Sequence, residues 1–149
     1  MIIKKDSIKN ISVEFDNIKN LFDGYNFYAD FVAIIFEYNG NDKIDTNTLS
    51  QLLLNQEKIY VENSIKKIDL IEAKRQFAIY RECHESMPEK KKLRIERLFW
   101  EKIQQHADLP YIEIYSGKGS SFYSQWHFFW IINDPINRKG FILSGGAFD

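Results

Sequence analysis

Between Phe122 and Asn133 the chain reads FYSQWHFFWIIN. Taking every second residue gives Phe122, Ser124, Trp126, Phe128, Trp130 and Ile132, nearly all apolar. The intervening set, Tyr123, Gln125, His127, Phe129 and Ile131, begins polar and turns apolar. Successive side chains leave opposite faces of a strand, so alternation rich in aromatic and β-branched residues predicts one here. The first set is expected to face a core. The second is expected to be wet at one end and covered at the other. A run this long suits the central strand of an antiparallel sheet.

The rest of the chain is read in order. Ser7 is a candidate helix cap, and Ile8, Ile11, Phe15, Ile18 and Phe22 follow at helical spacing as one apolar stripe. Asp23–Gly24 ends that predicted helix. Phe31 to Tyr38 is apolar with β-branched residues and predicts a buried strand, a buried helix being the alternative. Asn39–Gly40–Asn41–Asp42 is a turn cluster. Thr48 with Gln51 forms a capping-box pattern and predicts a helix to Gln56. Lys58 to Glu62 reads as a short strand or a lead-in. Ser64 is placed as the cap of a long helix to about Met87, and Pro88 starts the next one, Glu89 to about His106. Leu93, Leu98, Phe99 and Ile103 are expected on the buried side of the latter. Beyond Pro110 the period changes. Tyr111 to Tyr115 alternates as a strand, Ser116 to Ser121 is a Gly/Ser connection, and Asp134 to Gly140 is a turn before a last strand, Phe141 to Phe148.

These elements define an α+β fold: N-terminal and central helices packed on an antiparallel sheet, with a C-terminal three-stranded meander. There is no internal repeat, low-complexity segment or linker, so residues 1–149 are expected to form one domain.

Composition narrows the function classes. Hydrophobic residues make up 44% and aromatics 15%, enough for a core without metal or disulfide support. The net charge of −1 argues against a nucleic-acid binder, whose affinity rests on excess positive charge. The balance is uneven along the chain. Residues 1–62 carry 6 basic and 10 acidic side chains, whereas residues 63–109 carry 11 basic and 8 acidic. The acidic front half hints at a basic partner. Cys83 stands alone, which fits a reducing compartment. The N-terminus carries no signal-peptide pattern, and Phe31 to Phe36 is far shorter than the roughly 20 residues of a membrane span. A bacterial cytoplasmic protein is expected.

Candidate chemistry centres on the polar end of the central strand. Tyr123, Gln125 and His127 share a face, and Glu113 with Tyr111 and Tyr115 is expected opposite them. Such a group suits general acid–base work, for instance cleavage of RNA through its 2′-hydroxyl. Other patterns are weaker. SGKGSS lacks the spacing and the strand–helix setting of a nucleotide phosphate loop. Glu37 to Thr48 has Asp42 and Thr48 where a calcium loop needs Gly and Glu. Cys83–His84 and His106 lack metal-ligand spacing. Lys90, Lys91, Lys92, Arg94 and Arg97 form a basic run suited to phosphate, to an acidic partner, or simply to solvent.

Two functions are weighed. The first is a non-enzymatic protein-binding inhibitor, such as a bacterial immunity protein or antitoxin that blocks a basic toxin domain directly. Its candidate contacts are Asp16, Asp23, Asp30, Glu37, Asp42, Asp45, Glu113, Tyr115, Tyr123, Gln125 and His127. The second is a small hydrolase or ribonuclease-like enzyme using His127 with Glu113 or Tyr123. Neither calls for a metal or cofactor.

Overall fold

The computed structural model describes residues 1–23, 28–56, 65–81, 86–117 and 126–148. Its elements in chain order are β1 (Ile2–Ile3), β2 (Lys9–Asn10), α1 (Asp16–Asn20), β3 (Tyr28–Asn39), α2 (Thr46–Gln56), β4 (Lys66–Ile68), α3 (Leu70–Arg81), α4 (Glu89–His106), β5 (Glu113–Ser116), β6 (Trp126–Asp134) and β7 (Lys139–Phe148). Short 3₁₀ turns lie at Lys5–Ser7, Ser12–Phe15 and Leu109–Tyr111. The strands form one antiparallel sheet in the order β1-β3-β7-β6-β5-β4, with β2 also on the outer edge of β3. The expected α+β architecture and C-terminal meander are both present.

The Trp-rich segment is extended and lies inside the sheet, between β5 and β7. Both of its faces are covered. Phe128, Trp130 and Ile132 enter a core with Phe15, Phe77 and Phe99, built under α1, α3 and α4. Phe129 and Ile131 enter a second core with Phe36, Leu49 and Leu52, under α2. In the first core Phe77 and Phe99 stack at 3.7 Å, and Trp130 stacks on Trp100 at 5.6 Å. Trp130 Nε1 donates to Gln76 at 2.8 Å, which satisfies the buried indole. Residues 122–125 and the Trp126 side chain lie outside the described residues.

The predicted helix from Ser7 to Phe22 is broken up. Only Asp16–Asn20 is α-helical, and Lys9–Asn10 pairs with β3. Short polar side chains divert the backbone. Ser7 Oγ accepts the Glu37 amide at 2.8 Å, and Ser12 Oγ accepts the Ala33 amide at 2.9 Å. Both serines thus complete the edge of β3 where the N-terminal chain bulges away from it. The apolar stripe keeps its purpose but splits. Ile11, Phe15, Ile18 and Phe22 enter the first core, whereas Ile8 packs on the second, because the strand between Ile8 and Ile11 changes the side they face.

Three further boundaries move. The helix expected from Ser64 starts at Leu70, because Asp69 caps it by accepting the Glu72 amide at 2.8 Å. The residues just before form edge strand β4 against β5. Asp45, not Thr48, caps α2, accepting the amides of Asn47 and Thr48. Leu93 is 55% exposed rather than buried, and Ile95 takes its place on the inner face of α4. The segments 58–62 and 82–85 fall outside the described residues.

Two glycines permit the sheet's close packing. A Cβ on Gly140 would stand 2.1 Å from the Phe36 ring, and one on Gly145 2.3 Å from Phe128. Gly140→Ala is therefore expected to destabilise the fold by about 1–3 kcal/mol. Adding Phe36→Leu should recover part of that loss in a double-mutant cycle read by urea denaturation. Additive losses would show that the ring and the glycine are not in contention.

Candidate functional site

Asn133, at the end of β6, is fully buried and stands at the centre of a polar network. Its Oδ1 accepts from the Tyr38 hydroxyl at 2.7 Å. Its Nδ2 donates to the Asp42 carbonyl and to Glu113 Oε1, both at 3.1 Å. Glu113 Oε2 accepts from Lys67 Nζ at 3.0 Å and from the Tyr115 hydroxyl at 3.2 Å. The register explains this assembly. Glu113 of β5 lies opposite Asn133 of β6, and β4 brings Lys67 opposite Tyr115. Burial pushes the Glu113 carboxyl up, but the hydrogen bond and charge of Lys67, with help from Asn133 and Tyr115, hold it below the ordinary glutamate value. Burial and then the Glu113 charge push the Tyr115 phenol up. Both oxygens of Glu113 are thus engaged.

The expected partnership of His127 with Glu113 does not form. His127 lies opposite Gly146 of β7, and Glu113 lies opposite Asn133. Six residues of extended chain, roughly 20 Å, separate the two positions. The alternation correctly put Glu113 and Tyr115 on one side of β5, but β5 is short and pairs only with the far half of β6. Tyr111 leaves the strand altogether, sitting in a 3₁₀ turn with 60% exposure. Tyr123 and Gln125 lie outside the described residues.

The acidic candidates fall into two groups rather than one patch. Asp16 and Asp23 are exposed on α1 and the turn after it, and Asp30, also exposed, lies 3.6 Å from Lys19 of α1. Asp30 and exposed His127 flank Gly146 in one row across the sheet. Glu37, Asp42 and Asp45 are exposed at the other end of β3. Glu37 faces Lys139 across the strands. Asp45 is committed to capping α2, and its bonds to Thr48 hold its carboxyl below the usual aspartate value.

One titratable pair was not anticipated. His106 Nε2 lies 2.9 Å from Glu14 Oε1, and Lys102 Nζ lies 3.9 Å from the same oxygen. His106 lines a cleft of about 420 Å³ together with Lys9, Glu37, Asp134, Lys139 and Phe141. A histidine oriented by a carboxylate at a cleft has the form of a general base. Glu14 and His106 are 92 residues apart, so no local spacing signals the pair. Among the described residues no cluster of His, Cys, Asp or Glu suits a metal, and no helix is long and apolar enough to cross a membrane.

The architecture has solved counterparts. The chain is similar to citrus MAF1, with a TM-score of 0.61 at 14% identity, covering 91% of this chain and 99% of that one. A second crystal form of citrus MAF1 gives 0.54 at 13%, covering 89% and 97%. At this identity the likeness establishes a shared fold. No family model and no curated protein matches the sequence.

The network predicts two stability effects. Asn133→Ala leaves Tyr38 and Glu113 short of partners inside the protein and is expected to cost about 2–4 kcal/mol by urea denaturation. Glu113 has a lowered carboxyl value in the fold, so its contribution is present above the ordinary glutamate range and is lost as pH falls through the folded value. Glu113→Gln should flatten the acid limb of stability against pH; an unchanged limb would place the acid sensitivity elsewhere.

Proposed function

We propose that this chain is a non-enzymatic protein-binding protein, in the manner of a bacterial immunity protein or antitoxin that blocks a toxin by direct contact. The observation that carries this reading is the acidic corner made by Asp16, Asp23 and Asp30. All three are exposed: Asp16 on α1, Asp23 in the turn after it, and Asp30 at the start of β3, 3.6 Å from Lys19 of α1. Val13, just before them, is 71% exposed and supplies an apolar contact at the same place. Carboxylates around an exposed apolar group suit a basic protein partner, because the charges steer encounter while the apolar contact slows release.

A second reading, a small hydrolase, has one observation in its favour: the Glu14–His106 pair on its cleft. His127 and Glu113 are too far apart to serve such an enzyme together. The two readings diverge at His106. A binder keeps its partner affinity in His106→Ala, whereas a hydrolase loses its turnover.

The decisive experiment is co-purification with the product of an adjacent toxin-like reading frame, followed by titration calorimetry. Asp16→Lys with Asp23→Lys is expected to weaken binding by about tenfold or more at low salt, and by less as salt is raised. Unchanged affinity would remove this corner from consideration.

A further inference from the structure

The basic run of α4 is used by neither reading above. Residues three and four apart share a helix face. Lys90, Leu93, Arg94 and Arg97 therefore form one stripe, opposite the buried Ile95, Phe99 and Ile103. All four are exposed, and Leu93 shows 55% of its surface. Of the acids on this helix, Glu96 is drawn to Arg81, while Glu89 and Glu101 stay exposed beside the stripe. Glu96 lies 2.6 Å from Arg81, and Glu89 lies 4.0 Å from the same residue. Glu101 approaches Arg97 only at 3.9 Å. Among the described residues neither Lys90 nor Arg94 has an ion pair.

We infer that this face of α4 docks an acidic segment of another protein, one that sets an apolar side chain against Leu93. An exposed leucine inside a rim of cations has the anatomy of a small interface: charge at the edge for steering, apolar contact at the centre. A polynucleotide fits less well. It gains nothing from Leu93, whereas an acidic protein segment can offer carboxylates to the cations and an apolar side chain to the leucine. The surface is separate from the acidic corner, so the inference goes beyond the proposed function and does not depend on it.

The test uses the full chain and a labelled synthetic helical peptide with glutamates flanking a leucine, titrated by fluorescence anisotropy at low and moderate salt. Saturable, salt-sensitive binding is expected. Leu93→Ser should weaken it by about fivefold to tenfold at every salt concentration. Reversal of Lys90, Arg94 and Arg97 to Glu should abolish it. If that triple variant does not fold by circular dichroism, Lys90→Gln with Arg94→Gln should weaken binding and reduce its salt dependence. Asp16→Lys with Asp23→Lys should leave peptide affinity unchanged, which separates a failure here from a failure of the proposed function. The inference is overturned if no saturable binding occurs at low salt, if Leu93→Ser binds as tightly as the parent, or if a single-stranded RNA oligomer binds more tightly than the peptide.

Discussion

The fold depends on one constraint: the middle of its sheet must be buried on both faces. From β6, Phe128, Trp130 and Ile132 leave one side while Phe129 and Ile131 leave the other, and all five are nearly inaccessible. Strands β3 and β7 follow the same rule, with Ala33 and Leu143 on one side and Ile34 and Ile142 on the other. A sheet of this kind needs two roofs. Helices α1, α3 and α4 supply one through a continuous aromatic cluster, and α2 supplies the other through Leu49 and Leu52.

Double-sided burial also decides what polar groups in the sheet can do. Asn133 and Glu113 sit where the second core meets solvent, and an unpaired polar group there would be costly. The structure satisfies them with Tyr38, Tyr115, Lys67 and a backbone carbonyl. The network ties edge strand β4, through Lys67, to the interior of the sheet and to the segment after β3. It acts as a clasp that holds these elements in register.

Exposed charge of both signs is then confined to the periphery. Carboxylates gather on α1 and the start of β3, and cations gather on the outer face of α4. Part of it is paired: Arg81 draws Glu96 inward, and Lys102 and His106 approach Glu14. Val13 and Leu93 are two of the exposed apolar side chains, and each stands beside such charges.

Much of this was legible from residue order. Period-two alternation identified β6, and an apolar run rich in β-branched residues identified most of β3, because burying both faces requires apolar residues at nearly every position. Pro88 and the helical spacing behind it marked α4 at its observed bounds. The first 22 residues misled, because their helical spacing was real but the serines and Asn10 were recruited by the edge of β3, a partner that local sequence does not display. The expected pairing of His127 with Glu113 does not form for a related reason. Alternation tells which side of a strand a residue occupies, but not which stretch of the neighbouring strand it meets. By itself, then, the sequence determined the α+β class, the central and C-terminal strands and helix α4, because these depend on spacing within a few residues. Only the tertiary structure decided register, and with it the separation of His127 from Glu113 and the meeting of Glu14 with His106, because those distances are set by long-range pairing across the sheet.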